Sequence, residues 1–247
     1  MLTGIDHAVI VVPNLERAIA SFRAHGFQVE PGGVHGGGAS HNALIGFQDG
    51  SYLELFAVLD PAAPRPPHWR ARLERGGGLA DLALGAKEIE REVERLRAAG
   101  FEYPLPRAMS RRRPDGRELH WRLTSATSWP GAWLPFLIED DTPREWRVPG
   151  GSAAVHPNGV TGIAAVEIAI PDLALVDRLY RPLLGLPPDP ASTARLRLDG
   201  AEFLFRLVPA GSEVGPVAVL LATPTQPVPA QVAIEQATFV FVPPSTA

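Results

Sequence analysis

An imidazole and a carboxylate stand inside two alternating apolar segments of this 247-residue chain and are its clearest candidates for chemistry. His7 lies within the segment Ile5–Val12, and Glu54 lies within Tyr52–Val58. An imidazole together with a carboxylate suits Fe, Mn, Ni, Co or Zn and leaves coordination positions open for water or a chelating substrate. The alternative is a buried hydrogen bond between the two side chains that orders a cleft without a metal ion.

A glycine-rich segment places further polar side chains between these two strands. His35 and His41 flank three consecutive glycines, and Asn42 follows directly. Three glycines allow a backbone to approach closely, so this loop could present its imidazoles and Asn42 to a ligand. An ordinary hairpin loop with solvent-exposed histidines is the other interpretation. We take His41 and Asn42 as candidate ligand contacts because His41 enters the next strand.

Arginines are concentrated on a predicted hairpin in the middle of the chain. They form either an anion site for a carboxylate or phosphate or a solvated hairpin face, and we favour the solvated face. One strand of this hairpin carries His120 and Arg122 on one side and Trp121 on the other. We predict that His120 and Arg122 contact the substrate, and that Trp121, Trp129 and Trp133 pack in a core. The arginines are Arg107, Arg111, Arg112, Arg113, Arg117 and Arg122.

The elements that must position these side chains repeat three times. Each copy has an alternating strand, a short helix, and then a glycine followed by an apolar residue. The copies span Ile5–Phe27, Leu79–Phe101 and Ile163–Leu186, with nearly constant spacing between strand and glycine. Repetition of this kind indicates a fold assembled from copies of one supersecondary unit.

Further strands follow each helix, with Asp-Gly turns between some of them, so the predicted unit is βαβββ. In the third copy these strands are predicted at Thr193–Leu198 and Glu202–Val208. Val217–Leu221 and Ala237–Val242 are then predicted strands with no helix between them, consistent with a decayed fourth copy.

The predicted fold class is α+β, with paired βαβββ units forming a curved mixed sheet around a cleft and a third βαβββ-like unit appended. Helices would cover the outside of the sheet, and the strand face that carries His7 would line the cleft. The predicted domains are residues 1–147 (units 4–59 and 78–140), a linker at 148–159, and the third unit with two extra C-terminal strands at 160–247.

The paired units and their motifs resemble the vicinal oxygen chelate superfamily. GIDHAVIVVPNLERA opens the first unit and DGSYLELFAV closes it. RPDGRELHWRL and LPFLIED in the second unit are similar to the glyoxalase-like branch. The superfamily includes glyoxalase I, extradiol dioxygenases and the fosfomycin- and bleomycin-resistance proteins. The resemblance covers residues 4–140, and 160–208 match as a third unit. It is specific for the fold rather than for one activity.

The resemblance implies a set of site residues. In metal-dependent members, side chains from the first and last strands of each paired unit hold a divalent ion. Carried over to this sequence, the ligands are His7 and Glu54, and Asp81 stands where the second unit should carry His or Gln. Phe136 stands where the second unit should carry a glutamate, and we predict that it lines the substrate site with Tyr52.

The function implied is a metal-dependent enzyme of lyase, isomerase or dioxygenase type that acts on a small oxygen-rich metabolite in the cleft. The ion would stabilise an enediolate or oxyanion, and Glu54 or Asp81 would move the proton as the catalytic base. Ala165 and Leu204 occupy the ligand positions of the third unit, which is therefore predicted to be a scaffold or lid. The alternatives are a metal-free binding or sequestering protein of the bleomycin-resistance type, and a regulatory sensor that dimerises through the third unit.

Composition narrows the possible partners. The chain has 23 Lys and Arg against 27 Asp and Glu, a net charge of −4, so nucleic acid is not a predicted partner. It has no cysteine, which excludes disulfides and thiolate chemistry. Without an apolar run of about 18 residues or a signal peptide pattern, we predict a cytoplasmic protein with no membrane partner. The predicted partner is a small molecule, and a homodimer is possible.

Overall fold

A computed structural model describes residues 1–127, 132–189, 194–224 and 230–244 of the chain. The first sheet contains β1 (Leu2–Val11), β2 (Glu30–His35), β3 (Ser40–Gly46), β4 (Tyr52–Val58), β5 (Gly78–Ala86), β6 (Arg107–Arg112), β7 (Glu118–Thr124) and β8 (Phe136–Asp140). The second sheet contains β9 (Gly162–Ile170), β10 (Arg195–Leu198), β11 (Ala201–Leu207), β12 (Gly215–Ala222), β13 (Gln231–Ile234) and β14 (Ala237–Val242). The α-helices are α1 (Leu15–Ala24), α2 (Pro67–Glu74), α3 (Ile89–Ala98), α4 (Arg144–Arg147) and α5 (Arg181–Leu183).

Helix α1 shows why the repeated unit folds as the sequence predicts. The side chain of Asn14 accepts a hydrogen bond from the backbone N–H of Arg17 at 2.8 Å and so caps the helix. Leu15, Ala18 and Phe22 are buried on one stripe. Gly26 follows with φ of +79°, a left-handed conformation that glycine adopts without strain and that ends the helix.

The first sheet closes into a barrel with strand order β1-β4-β3-β2-β6-β7-β8-β5. Strand β1 pairs in parallel with β4 and antiparallel with β5, so the first strands of the two units lie side by side. Pairing of β2 with β6, at Val34 with Arg112 and His35 with Arg111, closes the ring. Each unit therefore supplies half of the barrel.

The second sheet repeats most of this topology but stays open, with strand order β10-β11-β9-β12-β14-β13. Strand β9 pairs in parallel with β11 and antiparallel with β12, as β1 pairs with β4 and β5. Strand β12 pairs in parallel with β14, as β5 pairs with β8. Among the described residues, no strand of this sheet corresponds to β2 or β6, the two strands that close the barrel. Strands β12, β13 and β14 have the pairing expected of a fourth copy without its helix.

Alternation along β1 divides the packing of the molecule into two regions. Ala8, Ile10 and Val12 face outward into one continuous core, which also contains the buried faces of the helices and of the second sheet. Val9 and Val11 face inward, where they pack with Trp121 and Phe136. The second sheet thus covers the outside of the barrel and leaves the barrel interior for a site.

The structure confirms the α+β class and the curved sheet around a cleft. The helix of the third copy differs from the prediction: Val176–Tyr180 forms a wide π-type turn that continues into the short α5. Pro182 lacks the N–H that a regular helix would use at this point, which explains the irregular turn. Strand β13 was not predicted.

Several predictions from the sequence are not tested by the fold. Trp129 and Thr193 lie outside the described residues, while Trp133 is buried in the main core as predicted. None of the described helices is long and apolar enough to cross a membrane. The domain boundaries, the homodimer and the cytoplasmic location remain predictions.

Candidate active site

The barrel encloses a cavity of about 320 Å³. Every strand of the barrel contributes side chains to the cavity lining, and residues between β4 and α2 also line it. Polar and aromatic side chains share the wall. The polar ones are His7, His35, Ser40, Asn42, Glu54, Arg65, Asp81, Arg107, Arg111, Ser125 and Arg147, and the aromatic ones are Tyr52, Phe56, Trp69, Trp121 and Phe136.

His7 is held firmly on β1. Its Nδ1 lies 2.6 Å from the Oδ1 of Asp6, and its ring stacks on Tyr52 with the ring centroids 4.3 Å apart. An ionised carboxylate only accepts hydrogen bonds, so Nδ1 of His7 carries a proton that it donates to Asp6. The other ring nitrogen, Nε2, therefore faces Glu54, whose Oε2 is 3.4 Å away.

Glu54 lies at the centre of a polar cluster. Its Oε1 accepts a hydrogen bond of 2.6 Å from Nδ2 of Asn42 and lies 3.6 Å from Nε2 of His35. Nδ1 of His35 is within 3.0 Å of the hydroxyl of Ser40. Two imidazoles thus approach the same carboxylate, one at each oxygen, and each ring makes a further hydrogen bond through its Nδ1.

The environment favours opposite charges on His7 and Glu54. Burial alone would raise the pKa of Glu54, but hydrogen bonds with His35 and His7 lower it well below its usual 4.5. Burial alone would lower the pKa of His7, but Asp6 and Glu54 raise it above its usual 6.5. The surroundings thus favour the imidazolium form of His7 and the carboxylate form of Glu54.

Two buried arginines form the end of the cavity near Tyr52. Arg147 pairs with Asp6 and Asp140 and donates a hydrogen bond of 2.6 Å to the hydroxyl of Tyr52. Burial would raise the pKa of Asp6, but Arg147, His7 and Arg144 lower it well below its usual value. Arg111 donates to Oδ1 of Asn42 at 2.8 Å. A continuous polar network therefore runs from Arg111 through Asn42, Glu54 and His7 to Asp6.

Asp81 lines the cavity from β5 and anchors its cover. Its Oδ2 accepts a hydrogen bond from Nε1 of Trp69 at 2.8 Å and lies 3.1 Å from Nε2 of His68. Both partners are on α2, a helix with no buried residue of its own. The ring of Trp69 packs edge-on against Phe56, with centroids 4.8 Å apart, and so covers the cavity. Asp81 thus fixes a lid over the site.

Six of the residues predicted from the sequence come together at this cavity, and three do not. His7, Asn42, Tyr52, Glu54, Asp81 and Phe136 line it. His41, His120 and Arg122 lie outside it, because the inward positions on their strands belong to Asn42 and Trp121. Arg122 instead forms ion pairs with Glu90, Glu139 and Asp141 on the outer surface. The prediction that His120 and Arg122 contact the substrate is not supported by their positions.

Sequence reasoning misses five contributors to the site: Asp6, His35, Trp69, Arg111 and Arg147. It does not single out Asp6 or Trp69, it favours a solvated hairpin face for Arg111, and it favours His41 over His35. Arg147 carried no signal at all, because α4 is a single turn after β8. A possible signal for Arg111 was its inward parity with Met109, which also lines the cavity.

The donors present do not complete the metal site that the sequence suggested. Among the described residues, no three His, Asp or Glu side chains form a group that could hold a metal ion. Both oxygens of Asp81 accept hydrogen bonds from elsewhere, and Phe136 supplies no ligand. His7 and Glu54 remain as a pair. The steps proposed below therefore use the side chains of the chain itself.

Comparison with known proteins identifies the family to which this chain belongs. Residues 5–184, more than half of the chain, match a family model described as a glyoxalase-like domain. The chain belongs to the glyoxalase-like domain family. This family match confirms the resemblance to the glyoxalase-like branch of the vicinal oxygen chelate superfamily that the sequence motifs show. Comparison with curated proteins gives no match.

Solved structures share the fold of this glyoxalase-like protein. A hypothetical protein from Staphylococcus aureus is 16% identical, with a TM-score of 0.75 over 97% of this chain and 98% of that one. A triple variant of 4-hydroxymandelate synthase from Streptomyces coelicolor is 19% identical, with a TM-score of 0.58 over 90% and 72%. Methylmalonyl-CoA epimerase from Mycobacterium tuberculosis is 23% identical, with a TM-score of 0.44 over 58% of this chain and 91% of that one.

Proposed function

We propose that this glyoxalase-like protein is an enzyme that transfers a proton at the carbon next to a carbonyl group of a small molecule bound in the barrel. The observation that carries the proposal is the pair of His7 and Glu54. Their facing atoms are 3.4 Å apart, longer than a good hydrogen bond, and both side chains line the cavity. An oxygen-bearing substrate can therefore contact both of them.

The two side chains have complementary roles in such a step. The Glu54 carboxylate takes the proton from carbon, and the electron pair of the C–H bond moves to the carbonyl oxygen to give an enolate. The His7 imidazolium stabilises the new negative charge by a hydrogen bond from Nε2, and Asp6 keeps its ring oriented. Return of the proton to either carbon face, or to another atom, completes an isomerisation. Loss of a leaving group completes a lyase reaction.

Aromatic walls define the size and polarity of the substrate. Phe56, Trp69, Trp121 and Phe136 surround the cavity, whose volume of about 320 Å³ suits a compact metabolite. Burial beneath α2 would exclude water and strengthen the electrostatic effect of His7 on the enolate.

Exchange of hydrogen for deuterium tests this proposal directly. The protein is incubated in D2O with a series of 2-oxo carboxylates of increasing side-chain size, and deuterium incorporation is followed by NMR. We expect exchange above the buffer rate, a loss of about 100- to 10,000-fold in Glu54→Gln, and an unchanged rate in His41→Ala, which lies outside the cavity. Equal rates in Glu54→Gln and wild type, or no exchange above buffer, would overturn the proposal.

Metal dependence is a finer form of the proposal that the sequence suggested. Support comes from the hydrogen bond between Nδ1 of His7 and Asp6, since histidines that bind metals are commonly oriented by a carboxylate in this way. Calorimetric titration with Zn²⁺, Mn²⁺, Fe²⁺, Co²⁺ or Ni²⁺ tests it, with His7→Ala and Glu54→Ala as variants. Stoichiometric binding that both variants abolish would support a metal enzyme, and absence of binding would count against it.

The second candidate is a metal-free small-molecule binding protein. It is favoured by the aromatic lining and by the hydrogen bond that already occupies Oε1 of Glu54. Compounds that bind tightly in the cavity without exchanging their hydrogens would support this function over the enzyme.

A further inference from the structure

Arg111 is a buried cation with no carboxylate partner among the described residues. Its side chain is 2% exposed. One terminal nitrogen donates to Oδ1 of Asn42 at 2.8 Å, the other donates to the backbone oxygen of Arg147 at 3.1 Å, and Nε has no partner. The neighbouring Arg147, equally buried, pairs with both Asp6 and Asp140. Only one of the two arginines at this end of the cavity is therefore neutralised by the protein.

The chain makes room for Arg111 at this position. A Cβ at Gly32 would lie 2.0 Å from Oδ1 of Asn42 and 2.4 Å from a terminal nitrogen of Arg111, so only glycine fits on β2 beside them. Strand β6 pairs Arg111 with His35 on one side and with Leu119 on the other, which fixes it inside the barrel wall. The guanidinium is thus built into the cavity wall rather than placed there by a mobile surface side chain.

Burial without a partner is costly for a charged group, and the usual compensation is an opposite charge in contact with it. Burial lowers the pKa of Arg111, and Tyr52 and Glu54 offset this only in part. Since Asn42 stands between Arg111 and Glu54, the nearest carboxylate of the site acts through an amide rather than by direct contact. The direct partner is missing from the protein itself.

We propose that Arg111 binds the carboxylate group of the substrate. The ligand class is a small monocarboxylate with an apolar or aromatic body, which packs against Trp121 and Phe136. This proposal rests on the cavity being the substrate site of the proposed function. It places the anionic end of the ligand at Arg111 and the reacting carbon toward His7 and Glu54, with Asn42 joining the two ends.

A carboxylate fits this position better than a phosphate. A guanidinium has five N–H groups, and here two are used within the protein and Nε is shielded from solvent. The remaining N–H groups match the two oxygens of one carboxylate. The negative charge of Glu54 in the same network would disfavour a dianion.

Calorimetric titration with a matched pair of probes tests the proposal. The probes are 3-phenylpropanoate and 3-phenylpropanamide, which have the same shape and differ in charge. We expect wild type to bind the carboxylate at least about tenfold more tightly than the amide, the difference expected of one charge-assisted contact. Arg111→Gln should remove that preference, and Arg111→Lys should keep part of it. Inorganic phosphate should compete weakly.

Arg112→Gln is the control, because Arg112 is the next residue on the same strand and its side chain is 72% exposed. It should bind both probes as wild type does. Equal affinity of wild type for the two probes, an unchanged preference in Arg111→Gln, or binding of neither probe would overturn the proposal. If circular dichroism shows that Arg111→Gln does not fold, the preference for the carboxylate probe is compared between wild type and Arg111→Lys instead. An unchanged preference in Arg111→Lys, or none in wild type, would overturn the proposal.

The result is separable from the proposed proton transfer. Neither probe has the keto group that makes the neighbouring C–H acidic in a 2-oxo carboxylate, so their binding does not depend on Glu54 as a base. A carboxylate preference that persists in Glu54→Gln, combined with no exchange in wild type, would retain the anion site and reject the enzyme.

Discussion

The barrel and the second sheet have the same central strand pairings but different chemistry. In the barrel, Val9 pairs with Glu54 on one side and Asp81 on the other. In the second sheet, Glu167 pairs in the same way with Leu204 and Ala218. The equivalent positions carry His7, Glu54, Asp81 and Phe136 in the barrel, and Ala165, Leu204, Ala218 and Val240 in the second sheet.

This difference shows that the fold does not require the polar pair. The second sheet forms the same parallel and antiparallel pairings with small and apolar side chains at those positions. Buried ionisable groups cost free energy unless they are well partnered, so a pair that the fold can do without indicates a function. The second sheet also lacks the counterparts of β2 and β6 among its described strands, and without them it cannot enclose a cavity.

The largest difference should come from removing the arginine at the end of the barrel. Arg147→Met would leave Asp6 and Asp140 without their buried partner, and we expect a loss of about 3–5 kcal/mol in the free energy of unfolding. The control is Arg206→Met in the second sheet, where the side chain is 54% exposed and 3.6 Å from Glu167. It should lose less than about 1 kcal/mol. Urea denaturation measures both, and equal losses would contradict the comparison.

Stability should depend on pH in a way that identifies the barrel pair. His7 has a raised pKa, so its contribution is complete below 6.5 and is lost as the pH rises through the folded-state value. Asp6 and Glu54 have lowered pKa values, so their contributions are present above 3.8 and 4.5 and are lost as the pH falls through the folded-state values. These three groups should therefore contribute most to the free energy of unfolding between these limits, with slopes of at most about 1.4 kcal/mol per pH unit for each group.

Two histidine variants separate these contributions. His7→Gln should remove the loss of stability on the alkaline side. His156 lies outside the barrel, where burial lowers its pKa despite the hydrogen bond to the backbone oxygen of Gly46. His156→Gln should instead remove a loss of stability as the pH falls below 6.5. Urea denaturation from pH 5 to 9 distinguishes the two, and identical profiles would refute the assignment.

Loosening the lid should have a smaller, local effect. Asp81→Asn replaces by an amide the carboxyl group that accepts the hydrogen bond from Trp69 and lies 3.1 Å from Nε2 of His68. We expect amide hydrogen exchange in α2 to rise about tenfold, equivalent to about 1.4 kcal/mol, while exchange in α1 is unchanged. Asp172→Asn, which affects only a cap beside Ala174, is the control. Unchanged exchange in α2 would mean that Asp81 does not hold the lid.

The smallest effect is expected from copying the carboxylate into the second sheet. Leu204→Glu reproduces the residue type of Glu54 at a position of the open sheet that is only partly buried. We expect a change of less than about 1 kcal/mol in the free energy of unfolding and no gain in deuterium exchange activity. A gain in exchange activity in this variant would show that the enclosed cavity is dispensable.

Much of the fold follows from periodicity in the sequence. Helix α1 was predictable because Asn14 caps it and its apolar residues recur at helical spacing. Alternation also placed His7 and Glu54 correctly on the cavity face. Helical spacing and strand alternation are both local patterns. They predict the structure correctly here because the apolar face of each element is the one that packs in the core.

The rest of the site depends on contacts that the sequence does not encode locally. Strand β7 has a polar and an apolar face, and we assigned the polar face with His120 and Arg122 to the substrate. The barrel instead turns Trp121 inward, because its interior is closed by aromatic packing. Arg147 and Trp69 reach the cavity from short helices outside the barrel strands. These helices are too short for a periodic pattern to predict which way their side chains point.

The charge state of His7 is the most direct test of the central claim, that the barrel holds an imidazolium facing a carboxylate. An NMR titration of the histidine side chains, with His7→Gln for assignment, gives its pKa. We predict a value above 6.5 in wild type and a lower value in Glu54→Gln. A value at or below 6.5 in wild type, or one that does not change in Glu54→Gln, would contradict the account.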